Sequence, residues 1–427
     1  MRGKRRPTAI KLAIAGGTPA ITLPTPCHPG WSAQQVDALQ RAVLRGRYDL
    51  TWVSATTPGG PVRDFELAFE GWMRGGYALA VNSGASALEV ALHAVGVGPG
   101  DEVAVAAYNW SQCASAIAVV GGAPRWVDVD AASATICPKS LRQVADSGVR
   151  AVLVTHLFGL PANMQEVLEI AQRNDMAIVE DCAQALPARY SGLRVGTLGD
   201  AAAFSLGARK HLCAGEGGVV YTKRRGVYER GVLYAQHPDR QAHDRHGALD
   251  SRFPCIALRS LRMHPLAAVA AAAALPELDR RCAAQASNHI WLRSQLAGLS
   301  LAQPPAVPPG RTHAWYTFPL SFTGRRCGIT RTDYVAALRA EGVPVSPHYI
   351  LHPLSNEPPF KAMPNSRAFL SEAYAWCESR GIFLQAGTAW HAVDFEYLRQ
   401  LAEAFWKVDQ LIMPDAVCQT DGGMETR

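Results

Sequence analysis

A single lysine, Lys210, lies between an apolar segment and a run of small residues in FSLGARKHLCAGEGG (204–218). Lysine side chains are rarely buried, so an exposed lysine on a loop is the ordinary interpretation. In enzymes, however, a lysine amine is also the nucleophile that forms Schiff bases with carbonyl compounds. The residues that precede Lys210 in the chain decide between these interpretations.

A second candidate is NSGASALE (82–89), which joins the end of an apolar segment to the start of a helix pattern. A helix N-terminus offers free N–H groups and the positive end of the helix dipole to an anion. Small residues at Gly84 and Ala85 allow an anion to approach the backbone, and Ser83 and Ser86 add hydroxyl groups. This pattern is typical of a phosphate site. A serine N-cap without a ligand would produce the same residues.

A carboxylate pair follows a later strand, since Glu180 and Asp181 end the apolar run of AIVEDCAQ (177–184). Open α/β sheets bind their ligands at the carboxyl ends of strands. A carboxylate at that depth is unfavourable unless it meets a positive partner. Asp181 is therefore either a ligand-binding group or a cap for the next segment, and these residues alone leave both open.

Trp110 and Ser205 are two further candidates for a ligand-binding site. Trp110 follows another strand end, where an indole could stack on a planar ring or pack at the rim of the sheet. Ser205 precedes Lys210 and is a candidate further donor to a phosphate. A phosphate cradle, a strand-end carboxylate, an aromatic platform and a lysine together describe a pyridoxal phosphate site. The lysine would bind the aldehyde, and the carboxylate would keep the pyridine nitrogen protonated.

Other reactive residues have simpler interpretations. Cys182 could be a nucleophile, but a buried cysteine in a strand is the favoured interpretation. His156 lies near the proposed ring or forms hydrogen bonds in the core, and both remain open. The histidine-rich segment 237–253 is interpreted as a solvated loop rather than a metal site. No metal site is predicted, and the glycine pattern of a dinucleotide-binding fold is absent near these residues.

The elements that must position these residues follow an α/β pattern. Between residues 77 and 222, helices separate seven short apolar segments: YALAV, DEVAVAAY, RWVDVD, RAVLVTHLF, AIVEDC, AAAFSL and GGVVYT. Strands that alternate with helices predict a mostly parallel sheet covered on both faces. After residue 222 the elements become shorter and richer in proline, apart from a small-residue helix at 266–275. This change predicts a second, smaller domain.

Composition excludes several functional classes. The 427 residues carry a formal net charge of +6, much of it in the first six residues, and contain no aromatic-interleaved basic patch. No apolar run is long enough to span a bilayer. The ten cysteines are scattered, and none forms a C-x-x-C pair. We expect a cytoplasmic protein with reduced cysteines and a solvated basic tail, and no nucleic-acid or membrane partner.

Together these segments resemble the DegT/StrS family of sugar and aminocyclitol aminotransferases, which use pyridoxal phosphate. The similarity runs from LAIAGGTPAI near the start to about residue 410, and VEDCAQA, GTLGDAAAFS and KHLCAGEGG are the most specific segments. The resemblance implies a type I aminotransferase fold. It implies an N-terminal arm (1–30), a large α/β domain with a mostly parallel mixed sheet (31–258), and a smaller C-terminal α+β domain (259–427). Residues 413–427 are expected to form a frayed tail.

The resemblance also implies roles for individual residues. Lys210 corresponds to the Schiff-base lysine, Asp181 to the partner of the pyridine nitrogen, and Gln184 to a neighbour of the ring hydroxyl. The residues that correspond to the phosphate site are Gly84, Ala85, Ser86 and Ser205. Trp110 corresponds to the residue that stacks on the ring, and Ser260 to the residue that reaches the neighbouring subunit's phosphate. His348 and Tyr349 correspond to residues that contact substrate. Members of the family are homodimers with shared active sites, so a homodimer is expected.

The implied reaction moves an amino group from L-glutamine or L-glutamate to a keto-sugar or keto-cyclitol, with Lys210 as general base. The GEGG turn (215–218) resembles the aminocyclitol and antibiotic-pathway members of the family more than the cell-envelope sugar members. It departs from the family at Leu186 and Pro187, where relatives have His-Gly, and at Ser260, where relatives have asparagine. We expect these departures on the substrate side. They leave open a pyridoxal phosphate enzyme of other chemistry, by elimination, decarboxylation or carbon–carbon bond formation. A non-enzymatic role is a third hypothesis, which the Lys210–Asp181 pair disfavours.

Overall fold

The computed structural model describes residues 11–412 except 29, 48, 50, 53, 55–58, 147, 245, 248, 250–258, 362–369 and 385–386. The basic residues before Lys11 and the predicted tail 413–427 lie outside this part of the chain. Its strands are β1 (Tyr77–Val81), β2 (Glu102–Ala106), β3 (Ala123–Val127), β4 (Val149–Thr155), β5 (Ala177–Asp181), β6 (Arg189–Tyr190), β7 (Leu193–Arg194), β8 (Ala201–Ser205), β9 (Gly218–Thr222), β10 (Ala302–Gln303), β11 (Arg311–Thr312), β12 (Phe318–Phe322), β13 (Val345–Ser346) and β14 (Gly381–Leu384).

The helices cover the faces of these sheets. They are α1 (Ala33–Gly46), α2 (Pro61–Met73), α3 (Gly84–Ala94), α4 (Ser111–Val119), α5 (Pro138–Val144), α6 (Met164–Arg173), α7 (Arg225–Ala235), α8 (Pro238–Ala242), α9 (Pro265–Ala274), α10 (Leu278–Gln295), α11 (Arg331–Ala340), α12 (Pro358–Lys361), α13 (Ser371–Ala375) and α14 (Phe395–Leu411). Within the described residues, none of them combines the length and the apolar character that a membrane crossing requires.

The central sheet has seven strands in the order β1-β9-β8-β5-β4-β2-β3. Strands β3, β2, β4, β5 and β8 are parallel, and β9 is antiparallel to both β8 and β1. The predicted α/β fold with a mostly parallel mixed sheet is therefore confirmed, and each of the seven predicted strands is present. The carboxyl ends of β1, β2, β4, β5 and β8 all lie at one edge of the sheet.

A second core lies in the C-terminal part of the chain. The antiparallel sheet β10-β12-β14-β13 packs with α11 and α14 around buried residues such as Phe318, Leu338 and Phe405. The N-terminal segment joins this core, because the Glu341 carboxylate accepts the backbone N–H groups of Ala13 at 2.7 Å and Ala20 at 2.8 Å. The predicted boundaries at residues 30 and 258 stay predictions. Helix α9 packs with α1 and α2 rather than in the second core.

The histidine-rich segment 237–253 differs from its prediction as a solvated loop. It contains α8, and the Arg240 side chain is 2% exposed. The Arg240 guanidinium donates to both carboxylate oxygens of Glu66 at 2.9 Å. For the described part of this segment the interpretation as a loop was wrong, because a polar residue with a buried partner of opposite charge looks solvated in the sequence; residues 245, 248 and 250–253 lie outside the described residues.

Glu66 connects this ion pair to the edge of the central sheet. Strand β1 is an edge strand, and its outward N–H groups would otherwise lack partners. Glu66 accepts the N–H of Ala80, and Glu70 accepts the N–H of Ala78, both at 2.8 Å. Helix α2 therefore covers the free edge of β1 with two carboxylates, and Arg240 neutralises the first of them.

We expect Arg240→Met to lower the free energy of unfolding by about 3–5 kcal/mol, because it removes the Nη2 group that donates to both oxygens of the fully buried Glu66 carboxylate. Urea unfolding at pH 7.5 measures this loss. The matched control is Arg399→Met, since Arg399 pairs with Glu396 at the surface and such pairs contribute about 0–1 kcal/mol. Equal losses in the two variants would contradict this account of α8.

Candidate active site

Asp181 ends β5, and its carboxylate is 4% exposed. Oδ2 accepts hydrogen bonds from the Thr155 hydroxyl at 3.1 Å and the Cys113 thiol at 3.2 Å. Oδ1 accepts the N–H of Ala183 at 3.0 Å, and Asn109 donates to the Thr155 hydroxyl oxygen at 2.8 Å. Among the described residues, none forms an ion pair with Asp181. A buried carboxylate that has only neutral partners fits a positively charged group on a ligand.

The start of α3 lies beside Ser205. The Ser83 hydroxyl accepts the N–H of Ser86 at 3.0 Å, which makes Ser83 the N-cap. A Cβ added at Gly84 would lie 2.6 Å from the Ser205 Cβ, so only glycine allows this approach. Ala85 is exposed, and within the described residues neither its N–H nor that of Gly84 donates a hydrogen bond. The helix N-terminus and the Ser205 hydroxyl together form a cradle that fits a phosphate.

Lys210 projects from a loop between β8 and β9. Its Nζ donates to the Tyr316 hydroxyl oxygen at 3.3 Å and lies 4.4 Å from the centre of the Tyr316 ring. The loop turns back at Gly215, which has φ +86° and forms a β-bridge with Gly207. Gly217 has φ +150°, a backbone conformation that glycine adopts more readily than other residues. The predicted tight turn beside Lys210 is confirmed.

Three neighbouring aromatic residues, Phe158, Tyr349 and Trp110, form an aromatic wall beside these groups. The ring of Tyr349 lies 5.1 Å from that of Phe158 and 6.2 Å from that of Trp110. The Phe158 N–H donates to the Gln184 side-chain oxygen at 2.7 Å, and the Tyr349 hydroxyl also hydrogen-bonds Gln184. Trp110 is 51% exposed and lies at the rim. The pKa of Tyr349 is raised by burial first, and then by Tyr316 and the Asp181 charge.

The Cys113 thiol lies close enough to both Asp181 and Lys210 for each of them to shift its pKa. Burial and then the Asp181 charge raise the pKa of Cys113, while the charge of Lys210 lowers it. Asp181 at the end of β5 and Lys210 in the loop after β8 thus shift the pKa of the same buried thiol in opposite directions. The structure brings together most of the predicted residues: Gly84, Ala85, Ser86, Trp110, Asp181, Gln184, Ser205, Lys210 and Tyr349.

Two predicted residues have their described contacts elsewhere. The backbone N–H of His348 donates to the Ser346 hydroxyl at 3.2 Å, and its ring faces the Cys377 carbonyl and Arg331. Partial burial and the Arg331 charge lower the pKa of His348. Ser260 is exposed, one residue before Leu261, whose carbonyl accepts the N–H of Asn82 at 2.9 Å. The roles of His348 and Ser260 stay predictions.

One departure from the family pattern does not face substrate. Leu186 is 3% exposed and lies in the same apolar cluster as Phe204 and Leu212. Ala188 is 1% exposed in that cluster, whereas Pro187 is half-buried. The expectation that Leu186 lies on the substrate side was therefore wrong. The change replaces a polar residue of the relatives by one that packs in the core.

His156 and Cys182 are core residues. His156 Nε2–H donates to Glu180 at 3.0 Å, and its Nδ1 accepts the N–H of Ala162 at 3.1 Å. The pKa of Cys182 is raised well above its ordinary value by burial and by the charges of Glu180 and Asp181. His156, Glu180 and Cys182 lie within 4.8 Å of one another. Both carboxylate oxygens of Glu180 already accept backbone N–H groups, those of Gly196, Leu198 and Gly199.

Sequence reasoning missed three residues of the site: Thr155, Cys113 and Tyr316. Thr155 ends β4, and the strand-end pattern that identified Asp181 could have found it. Cys113 lies in a small-residue helix, where it looks like any other apolar residue. Tyr316 lies 106 residues after Lys210 and follows no strand end, so no signal in the sequence connects the two.

The residues of the site fit pyridoxal phosphate. The start of α3 with Ser205 fits the phosphate, the buried carboxylate of Asp181 fits the protonated ring nitrogen, and Lys210 supplies an amine beside them. When bound, this cofactor supplies an electron-accepting ring. The fold and the site together define a pyridoxal phosphate enzyme of the type I aminotransferase fold.

The comparisons with known proteins agree. The profile of the DegT/DnrJ/EryC1/StrS aminotransferase family matches residues 46–391, and the chain belongs to this family. It is 31% identical over 360 residues to an L-glutamine:2-deoxy-scyllo-inosose aminotransferase from Streptoalloteichus tenebrarius, covering 80% of this chain and 81% of that one. GDP-perosamine synthase from Caulobacter vibrioides is 29% identical over 348 residues, covering 80% and 89%.

A solved structure agrees in fold. The aminotransferase from Psychrobacter cryohalolentis superposes with a TM-score of 0.78 at 24% identity, covering 89% of this chain and 98% of that one. This likeness shows the fold alone. With the family established, the chain is a pyridoxal phosphate-dependent aminotransferase whose relatives act on sugars and aminocyclitols.

Three buried histidines, His211, His289 and His313, make the stability of the folded protein depend on pH. Burial lowers the pKa of His211 and of His289 to about 4, and it also lowers the pKa of His313 well below its ordinary value. Between the ordinary histidine value near 6.5 and about 4, the unfolded chain binds protons that the folded chain does not. Stability is therefore full above pH 6.5 and is lost as the pH falls toward 4.

We expect the free energy of unfolding to fall by about 1.4 kcal/mol per pH unit for each of these histidines within that window. Urea unfolding at pH 7.5, 6.0 and 5.0 measures the slope. The exposed His243 provides the control, since His243→Gln should leave the slope unchanged. A free energy of unfolding that stays constant down to pH 5.0 would contradict the neutral, buried state of these rings.

Proposed function

We propose that the enzyme transfers an amino group from L-glutamine or L-glutamate to a ketone on a sugar or cyclitol, in an antibiotic or other secondary-metabolite pathway. The observation that carries the proposal is the Lys210 amine, held by Tyr316 in the same site as the buried Asp181 carboxylate. The two relatives support the substrate class, since one is named for an aminocyclitol precursor and the other for an amino sugar.

Each residue has a role in this proposal. Lys210 would attach the cofactor and, once free, would move the proton at the substrate carbon, which requires a neutral amine. Asp181 would keep the ring nitrogen protonated, and Gln184 would lie beside the ring hydroxyl. Gly84, Ala85, Ser86 and Ser205 would hold the phosphate, and Trp110 would stack on the ring.

The acceptor would enter beside the aromatic wall. Trp110 is half-exposed at the rim, and Tyr349 connects it to Gln184 deeper in the site. Tyr349 is therefore proposed as the residue between cofactor and acceptor. His348, its exposed neighbour, is proposed to contact the outer part of a bulky acceptor.

We further propose a cytoplasmic homodimer in which each active site is completed by the partner. Helix α1 and the residues before it expose Trp31, Val36, Val43 and Leu44. The Trp31 indole lies 3.5 Å from the position of a Cβ added at Gly215, in the loop that carries Lys210. A partner that covers this apolar surface would thus approach the site, and Ser260 would face the partner's phosphate. Light scattering after gel filtration tests the dimer.

The experiment that tests the reaction is product analysis. The loaded enzyme is incubated with L-glutamine or L-glutamate and either 2-deoxy-scyllo-inosose or a nucleotide-linked keto-sugar. Formation of the amine with an equal amount of the 2-oxo acid from the donor supports the proposal. Carbon dioxide, an eliminated group or a new carbon–carbon bond without the oxo acid would replace it with the alternative pyridoxal phosphate chemistry.

A further inference from the structure

We propose that Tyr316 positions the amine of Lys210 for proton transfer, an inference that rests on the proposed role of Lys210 as the cofactor lysine. The Tyr316 hydroxyl oxygen accepts a hydrogen bond from Nζ at 3.3 Å, and the ring centre lies 4.4 Å from the same atom. Tyr316 therefore contacts the reacting nitrogen in two ways, through a polar atom and through an aromatic face.

Tyr316 follows a residue with a strained backbone conformation, and backbone hydrogen bonds hold this segment in place. Trp315 has φ +57°, an uncommon conformation for a bulky residue, and such strain persists only where surrounding contacts impose it. The Tyr316 N–H donates to the Phe158 carbonyl at 2.9 Å, and the Ala314 N–H donates to the Gly159 carbonyl at 2.7 Å. A Cβ at Gly159 would lie 2.9 Å from the Ala314 Cβ. These contacts fix the position of the Tyr316 backbone, from which the side chain extends towards Lys210.

A second connection joins the loop of Lys210 to the same segment. His211, the next residue after Lys210, lies 2.8 Å from the Ala314 carbonyl through its Nε2. Burial lowers the pKa of His211 to about 4, so the ring is neutral at physiological pH and its Nε2–H donates to this carbonyl. The chain around Lys210 and the chain around Tyr316 are thus held together at two points, His211 to Ala314 and Lys210 to Tyr316.

This arrangement matters when the lysine amine is not covalently bound. A free lysine side chain has several rotatable bonds and loses conformational entropy when it is ordered. The contact with Tyr316 keeps Nζ inside the site, so the amine is in place both to capture the cofactor and to move a proton. Removal of one such hydrogen bond is expected to slow each step about tenfold.

The test compares Tyr316→Phe, which keeps the ring, with Tyr316→Leu, which removes both contacts. Tyr190→Phe is the matched control, because the Tyr190 hydroxyl also makes a hydrogen bond, to Asn163 at 3.2 Å, and Arg311 lies 5.5 Å from its ring. The first measurement is the rate at which the yellow band of the lysine-bound cofactor appears when unloaded enzyme is mixed with pyridoxal phosphate. The second is the rate of bleaching by L-glutamate or L-glutamine carrying ¹H or ²H on the α-carbon.

We expect Tyr316→Phe to slow band formation about tenfold and to increase the isotope effect on bleaching, with a larger loss in Tyr316→Leu. Tyr190→Phe should match the wild type. Wild-type rates in Tyr316→Phe, or slower rates with an unchanged isotope effect, would overturn the positioning role while the proposed function stands. A yellow, covalently bound cofactor in Lys210→Ala would instead refute the assignment of Lys210, and that of Tyr316 with it.

Discussion

Lys210→Ala is expected to lose the yellow band of covalently bound cofactor and to slow transamination by at least about a thousandfold. The substitution removes the amine that we propose attaches the cofactor and moves the proton, and a single general base already contributes about 10²–10⁴-fold. The fold should survive, because among the described residues the Lys210 side chain hydrogen-bonds only that of Tyr316. Absorbance at equal protein concentration and the rate of oxo-acid formation measure the two effects.

Lys223→Ala is the control for this variant. Lys223 lies 13 residues further along the chain, and its Nζ donates to the Thr197 carbonyl at 3.1 Å at an exposed position. It should keep both the band and the rate of the wild type. A Lys210→Ala enzyme that retains the covalent band, or that transaminates at a rate near that of the wild type, would contradict the role of Lys210.

Asp181→Asn is expected to slow the first half of the reaction by about a hundredfold or more, because it removes the charge that we propose faces the cofactor ring nitrogen. The amide keeps the size of the carboxylate, and its oxygen still accepts a hydrogen bond from Thr155 or Cys113. The loss should therefore appear in the rate of bleaching by the donor more than in protein stability.

Single-turnover bleaching measures the effect of Asp181→Asn, and thermal unfolding checks the fold. Asp146→Asn is the control, because Asp146 is an exposed carboxylate that accepts the N–H of Gly148 far from the site. A bleaching rate of Asp181→Asn within a fewfold of the wild type would show that Asp181 only caps the segment after β5, which is the alternative left open by its sequence.

The central sheet and the core of the site are predictable because their signals are local. Apolar runs bounded by turn residues identify buried strands, and all seven strands of the central sheet follow this rule. Ligand groups at the carboxyl ends of parallel strands are also local, since Asp181 and Ser205 each end a strand. The small residues after β1 identify the helix N-terminus at Gly84 in the same way.

The other residues of the fold and of the site depend on tertiary contacts that leave no local pattern in the sequence. Tyr316 reaches Lys210 from a segment 106 residues away, through a backbone conformation that only long-range hydrogen bonds impose. Arg240 looks like a surface residue until Glu66, 174 positions earlier, provides its buried partner. Leu186 departs from the family pattern, but its burial beneath the site is visible only in the structure.

The central claim is that the cofactor binds covalently to Lys210, and reduction followed by peptide mapping tests it most directly. Sodium borohydride fixes the bound cofactor on its lysine, and trypsin then cleaves after unmodified lysine and arginine. We expect a phosphopyridoxyl group on the peptide KHLCAGEGGVVYTK (210–223), with its first lysine modified and uncleaved. A phosphopyridoxyl group on any other lysine, or a yellow enzyme that carries no phosphopyridoxyl group after reduction, would contradict covalent binding at Lys210.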